Sequence, residues 1–211
     1  MRSRVPAPAH KRPLPCGSMR CMKVAIAGVK GGAGKSTSAV ALACVGEALL
    51  PGKIVLVDLD PQATSSRWVP HLAKRAEDAA SLADATRGVD VAILDLPPGR
   101  SDGATMGLAA ADIVVAICGL GPGELDGLAA TMRLVEPDLI LPTRMDRRRA
   151  MHHEALDLLK SKFGKKVLDP IPASAVVERS QASGTGLPEL SPPGIAYAAA
   201  WSRIEALMKE A

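Results

Sequence analysis

The sequence has few aromatic residues, few cysteines and no long apolar segment. Two tryptophans, one tyrosine and one phenylalanine occur among 211 residues, so a surface that stacks the bases of single-stranded nucleic acid is not expected. The four cysteines form no Cys-x-x-Cys pair, which argues against a disulfide framework or an iron–sulfur cluster and favours a reducing cytoplasm. No apolar run approaches the roughly 18 residues of a transmembrane helix.

The first 22 residues contain no acidic side chain and lack the apolar core of a signal peptide. We predict a disordered basic arm, or a start assigned too far upstream, with Met19 or Met22 as the alternative initiator. An arm that binds DNA is the functional alternative. Residues 23–211 are predicted to form one domain. The basic residues of the arm are Arg2, Arg4, Lys11, Arg12 and Arg20.

This arm accounts for the positive charge of the chain. The whole sequence has 26 basic and 22 acidic residues. Residues 23–211 alone have 21 basic and 22 acidic residues, a formal net charge of −1. The net charge of the predicted domain is therefore no evidence for nucleic-acid binding, which would need a local basic patch.

Residues 30–37, Lys-Gly-Gly-Ala-Gly-Lys-Ser-Thr, lie between a predicted strand and a predicted helix. This context is typical of a phosphate-binding loop, and we call these residues the phosphate loop. The general pattern has glycine at position 29, whereas this sequence has Val29 followed by a second lysine, Lys30. Lys35 is expected on the β- and γ-phosphates and the Ser36 hydroxyl on Mg²⁺. The expected phosphate contacts are Gly31, Gly32, Ala33, Gly34, Lys35, Ser36 and Thr37.

Acidic residues follow two further predicted strands. Asp58 and Asp60 come at the end of one apolar run, and Asp95 comes at the end of another. Ligands bind at the carboxyl ends of the strands in open α/β sheets, where carboxylates can hold Mg²⁺ or orient an attacking water. A single acid here would more often cap a helix, but three of them downstream of a phosphate loop indicate a functional site.

The alternation of apolar runs predicts an α/β fold with a mostly parallel sheet and helices on both faces. The last helix has a charge-balanced polar face, so we expect it to pack on the domain rather than anchor to a membrane. Strands are predicted near 23–27, 53–58, 90–95, 112–117, 137–142 and 166–169. Helices are predicted near 35–49, 66–86, 101–110, 124–135, 147–163, 174–183 and 194–210.

These motifs together resemble the ParA/MinD family of deviant Walker ATPases. The matching segments are the phosphate loop, Asp-Leu-Asp-Pro-Gln at 58–62 and Asp-Leu-Pro-Pro-Gly at 95–99. The resemblance covers about residues 22–211, and the 58–62 segment resembles the ParA branch rather than MinD. The length of the chain leaves no room for the helix-turn-helix module of many ParA relatives, so it resembles the short, single-domain type. Where the family often has Pro-Ser-Pro, this chain has Gly-Pro-Gly-Glu at 121–124, a departure that bears on the contacts of that loop.

The resemblance implies a P-loop fold of the deviant Walker A (SIMIBI) type, ATP and Mg²⁺ as ligands, and a homodimer that forms on ATP binding. Lys30 would reach the phosphates of the partner subunit, and Asp60 would position the hydrolytic water. Asp58 and Asp95 would support Mg²⁺ together with Ser36. The remaining candidate nucleotide contacts are Gly99, Arg144 and Pro172, and ordinary loop chemistry is the alternative for the last two.

A basic segment runs from Arg144 to Lys166, with eight basic residues against three acids. Basic clusters bind phosphates without reading sequence, and a solvated helix face is the alternative. The resemblance favours DNA, because ParA dimers bind double-stranded DNA non-specifically. The candidate DNA contacts are Arg147, Arg148, Arg149, Lys160, Lys162, Lys165 and Lys166.

The sequence therefore predicts a cytoplasmic, nucleoid-associated ATPase that dimerises with ATP and partitions plasmid or chromosomal DNA. A ParB-type or centromere-binding partner would stimulate slow hydrolysis and release the DNA. One alternative is the positioning of a protein cargo or a microcompartment. Another, from a different class, is a metabolic ATP-dependent ligase related to the cobyrinate and dethiobiotin synthases, against which the 58–62 match weighs.

Overall fold

The computed structural model describes residues 20–210. The predicted arm, residues 1–22, lies outside the described residues except for its last three. Six strands form one all-parallel sheet in the order β3-β2-β4-β1-β5-β6, which confirms the predicted α/β class. The strands are β1 (Met22–Ala27), β2 (Ile54–Asp58), β3 (Ala73–Arg75), β4 (Val91–Asp95), β5 (Ile113–Gly119) and β6 (Leu139–Thr143).

Helices cover both faces of this sheet, so the interior of its central strands is apolar. In β1, Val24 and Ile26 face one core, and Ala25 and Ala27 face the other. The helices are α1 (Lys35–Leu49), α2 (Thr64–Trp68), α3 (Ala79–Ala85), α4 (Asp102–Ala110), α5 (Glu124–Met132), α6 (Ala150–Phe163), α7 (Ala175–Ser183) and α8 (Pro192–Glu210), with a 3₁₀ turn at Gly164–Lys166.

The helix predicted near 66–86 is wrong. The chain forms α2, the edge strand β3 and then α3 over this stretch. Pro70 lies two residues beyond the end of α2 and cannot continue a helix, because it lacks a backbone N–H. A new helix then begins at a capping box in which the Asp78 carboxylate accepts the Ser81 N–H at 2.7 Å.

The strand predicted near 166–169 is also wrong. The 3₁₀ turn occupies Gly164–Lys166, and Val167 forms only an isolated bridge with Ile140 at the sheet edge. Pro170 then removes a further backbone donor from the segment. The sheet therefore ends at β6, and its sixth strand is β3 at the opposite edge.

The last helix, α8, packs on the domain as predicted. Tyr197, Trp201 and Ile204 are buried against the core that contains α1. Gly46 of α1 faces the Trp201 ring, and a Cβ atom added there would lie 2.5 Å from the indole, so the glycine permits the close crossing of the two helices. Within residues 20–210, no helix is both long enough and apolar enough to cross a membrane.

Candidate functional site

The phosphate loop connects the carboxyl end of β1 to the start of α1. Gly34 precedes the helix with φ of 95°, a left-handed conformation that favours glycine. No side chain caps this helix, and the N–H groups of Lys35, Ser36 and Thr37 find no acceptor within the described part of the chain. Free N–H groups at the start of a 15-residue helix form a binding site for an anion.

Lys35 places a positive charge inside this loop. Its side chain is buried, and its Nζ donates a hydrogen bond to the Lys30 carbonyl at 3.3 Å. Burial lowers the pKa of the Lys35 ammonium, whereas the carboxylates of Asp95 and Asp60 act in the opposite direction. The loop therefore holds a cation that is poorly solvated and available to a bound anion.

Asp95 is a fully buried carboxylate at the end of β4. Both of its oxygens lack a hydrogen-bond partner among the described residues. Burial raises the pKa of Asp95 to about 6, and Asp58 adds to this rise. The nearby Ser36 and Ser65 hydroxyls and Lys35 oppose it, although neither hydroxyl completes a hydrogen bond to the carboxylate. An unpaired buried carboxylate beside a phosphate loop fits a hydrated divalent cation.

Asp58 lies opposite Asp95 in the register of β2 and β4. Its two carboxylate oxygens accept the Asp60 N–H at 3.0 Å and the Ser66 N–H at 2.8 Å. Asp58 therefore fixes the turn that carries Asp60 and the first turn of α2. Asp60 is only half-buried, and its Oδ1 accepts the Gln62 N–H at 2.9 Å.

Two buried threonines that the sequence did not indicate brace the phosphate loop. The Thr143 hydroxyl, at the end of β6, lies 2.8 Å from the Ala33 carbonyl oxygen. The Thr131 hydroxyl accepts the Val29 N–H at 3.1 Å. These contacts join residues that are 110 and 102 positions apart. Thr143 could have been found from the sequence, because it is a polar residue at the end of an apolar strand. Thr131 lies in α5 and had no comparable signal.

The other candidate nucleotide contacts lie in two places. Gly99, with φ of 76°, lines a small cavity together with Gly28 and Val29 of the loop entry. Arg144 lies beyond β6, on the side of the loop away from the carboxylates, and has a positive φ of 57°. Its guanidinium pairs with the Glu124 carboxylate at 2.6 Å. Pro172 lies beside this segment through a bridge to Met145.

The family model of the CobQ/CobB/MinD/ParA nucleotide binding domain matches residues 24–187, well over half of the chain. The chain belongs to this family. The match contains the phosphate loop and all three carboxylates of the site. No curated protein sequence matches the chain.

Solved structures share the fold of this family member. McdA from Cyanothece is 17% identical over 89% of this chain and 100% of that chain, with a TM-score of 0.71. A protein described as a plasmid partition protein, BB_S35 from Borrelia burgdorferi B31, is 18% identical over 91% and 100%, with a TM-score of 0.69. The septum site-determining protein MinD from Pyrococcus horikoshii is 16% identical over 90% and 98%, with a TM-score of 0.69.

In this CobQ/CobB/MinD/ParA domain, the seven candidate DNA contacts fall into two groups at opposite ends of α6. We call Arg147, Arg148 and Arg149 the arginine cluster, and Lys160, Lys162, Lys165 and Lys166 the lysine cluster. A helix of 14 residues is about 21 Å long, so the two clusters form no single patch. The arginine cluster follows β6 and lies at the carboxyl ends of the strands, as the phosphate loop does. The lysine cluster lies toward the amino ends of the strands.

Acidic neighbours neutralise part of each cluster. Asp146 accepts two hydrogen bonds from the Arg148 side chain, each at 3.0 Å, which lower the pKa of Asp146 to about 2. Arg149 also lies within 3.7 Å of this carboxylate. In the lysine cluster, Lys160 pairs with Asp169 and Lys166 pairs with Glu136.

The buried Asp95 predicts a specific dependence of stability on pH. Its pKa is higher in the folded state, about 6, than the ordinary 3.8, so the folded protein holds this proton more tightly than the unfolded chain. The contribution of Asp95 to stability should therefore fall as pH rises from about 4 to about 6, by up to roughly 3 kcal/mol. Asp95→Asn should remove this dependence in urea unfolding without nucleotide or Mg²⁺. The exposed Asp157→Asn is the control, and an unchanged pH profile in Asp95→Asn would contradict the assignment.

Proposed function

We propose that this protein is an ATPase that dimerises when it binds Mg²⁺-ATP and thereby positions a cargo, most directly plasmid or chromosomal DNA. The observation that carries the proposal is the position of Lys30. Its side chain is exposed, and its ammonium makes no hydrogen bond or ion pair with any residue from 20 to 210. The loop already has its own cation in Lys35, so Lys30 is free to act on a second subunit.

The backbone of Lys30 lies at the anion site, because its carbonyl accepts a hydrogen bond from the Lys35 ammonium at 3.3 Å. An exposed ammonium without a partner among the described residues, beside an anion site, is suited to an anion that approaches from outside. The triphosphate of a second subunit would be such an anion. A second cation near the γ-phosphate stabilises the charge that develops during phosphoryl transfer. Dimerisation and hydrolysis would thus depend on the same residue.

The remaining residues supply the chemistry within one subunit. The loop N–H groups and Lys35 would bind the β- and γ-phosphates. Mg²⁺ would be held by the Ser36 hydroxyl and, through water, by Asp95, and would neutralise phosphate charge. The Asp60 carboxylate would orient the attacking water, and the two hydrogen bonds accepted by Asp58 keep Asp60 at this place.

The arginine cluster supports DNA as the cargo. A dimer closed over two nucleotides joins its subunits at the carboxyl edge of each sheet, where the arginine cluster also lies. The two arginine clusters would then act together on one duplex, whereas the lysine clusters would lie far apart at the outer ends. ATP would convert two weak electrostatic sites into one stronger site. A ParB-type or centromere-binding partner would stimulate hydrolysis, and the protein would then dissociate from the nucleoid DNA.

The proposal predicts ATP-dependent DNA binding that requires the arginine cluster. Removing Arg147, Arg148 and Arg149 together as alanine variants should weaken binding of a labelled non-specific duplex by at least about tenfold and reduce its salt dependence. Fluorescence anisotropy with ATP, with ADP and without nucleotide measures both effects.

The matched control replaces Lys160, Lys162 and Lys165 by alanine, which removes the same number of charges and should weaken binding by less than about threefold. Equal losses in both variants would contradict the assignment to the arginine cluster. If the protein shows no ATP-dependent DNA binding at low salt, a protein cargo or a metabolic ligase becomes the better interpretation.

A further inference from the structure

We propose that helix α5 positions the Lys30 side chain, and that Gly127 permits this because it lets the Lys30 stem pack closely on the helix. The inference rests on the proposed role of Lys30 in the partner's site and adds a positioning residue to it. The sequence predicted a helix near 124–135 but indicated no contact between it and Lys30.

The stem of Lys30 lies directly on α5 at Gly127. A Cβ atom added to Gly127 would lie 3.1 Å from the Lys30 Cβ, 3.6 Å from its Cδ and 3.9 Å from its Cγ. The first distance is shorter than an ordinary van der Waals contact, so a larger residue here would shift the stem by at least a few tenths of an ångström. Glycine is the weakest helix former after proline, and its presence in the middle of a nine-residue helix is explained by this contact.

The same helix also fixes the backbone that precedes Lys30. Thr131, one turn beyond Gly127, is buried, and its hydroxyl donates to the Gly127 carbonyl at 2.9 Å and accepts the Val29 N–H at 3.1 Å. On the other side, the Lys30 carbonyl accepts the Lys35 ammonium. The backbone of Lys30 is therefore held on both sides, and Gly127 sets the direction in which the stem leaves the loop.

This arrangement separates two tasks of the loop. Gly31, Gly32 and Gly34 and the start of α1 form the anion site of the same subunit, and none of them supplies one of the three atoms nearest to a Cβ added at Gly127. All three of these atoms belong to the Lys30 stem. A change at Gly127 should therefore alter the approach of Lys30 to the partner and leave binding of the subunit's own nucleotide unchanged.

The test is Gly127→Ala in the full chain, with Gly127→Val as a graded second variant. The dissociation constant of the Mg²⁺-ATP dimer, measured by analytical ultracentrifugation, should rise by about tenfold for alanine and by more for valine, since small displacements of a positioned group have large effects. The ADP affinity of the monomer should stay within about twofold. The melting temperature of Gly127→Ala should not fall, because alanine favours the helix.

Ala129→Ser, which adds one atom at an exposed position of the same helix, is the matched control and should behave as the wild type. Unchanged dimerisation of Gly127→Ala would overturn the inference, and so would a loss of ADP affinity or of thermal stability. Lys30→Ala distinguishes the role of Lys30 in the partner's site from the positioning of Lys30 by Gly127. If Lys30→Ala dimerises normally, the proposed function fails, and a defect of Gly127→Ala alongside it would show that Gly127 does not act through Lys30.

Discussion

Lys30→Ala is expected to abolish ATP-dependent dimerisation and to reduce ATP hydrolysis by about 10³-fold, as the loss of a cation supplied to a transferring phosphate does. Binding of ADP to the monomer should remain within about threefold of wild type, because Lys35 and the loop N–H groups stay in place. Light scattering with Mg²⁺-ATP, a hydrolysis assay and ADP titration measure the three quantities.

Lys53→Ala is the control for this variant. Lys53 is an exposed lysine that precedes β2 at the opposite end of the sheet, where it lies 3.8 Å from Asp90. Its removal should leave dimerisation and hydrolysis unchanged. A Lys30→Ala protein that loses ADP affinity to the same extent as hydrolysis would show that Lys30 serves its own nucleotide, which contradicts a role in the partner's site.

Asp60→Ala is expected to slow hydrolysis by at least about 10²-fold, the range typical of a residue that assists proton transfer or water attack. The dimer should persist in Mg²⁺-ATP, because Asp60 lies on the turn held by Asp58 and outside the loop that binds the phosphates. Size-exclusion chromatography after prolonged incubation should therefore show a dimer for Asp60→Ala when the wild type has returned to monomer.

Asp60→Asn distinguishes catalysis from loop structure. Asparagine keeps an oxygen that can accept the Gln62 N–H, now accepted by Asp60 at 2.9 Å, but it removes the charge. Both variants should be equally slow if the carboxylate orients water. Near-normal hydrolysis by Asp60→Asn would instead assign Asp60 to the shape of the turn.

Much of the fold follows from local sequence. The apolar runs before the phosphate loop and before Asp58 and Asp95 predicted β1, β2 and β4, because buried parallel strands are apolar on both faces. The prediction of one helix over 66–86 was wrong. The composition of this region is typical of a helix, but Pro70 and the Asp78 cap divide it. The short edge strand β3, with three residues, carries too little periodic signal to predict.

The sequence predicted those site residues that are charged and lie next to the end of a strand. Lys35, Asp58, Asp60 and Asp95 meet at one sheet edge because each follows or precedes a parallel strand. Thr131 and Gly127 could not be predicted in the same way, since their contacts with residues 29 and 30 depend on how α5 packs in three dimensions. The division of the basic segment into two clusters could not be predicted either. Its residues are close in sequence, but α6 separates the two clusters by about 21 Å.

The most direct test of the central claim, that Lys30 acts on the nucleotide of the other subunit, is complementation between Lys30→Ala and Asp60→Ala. Each protein alone should be nearly inactive. In a mixed dimer, the Lys30→Ala subunit keeps its own Asp60 and receives Lys30 from its partner, so one intact site forms. The account predicts that the mixture hydrolyses ATP well above the sum of the separate rates; a mixture that stays at that sum would contradict it.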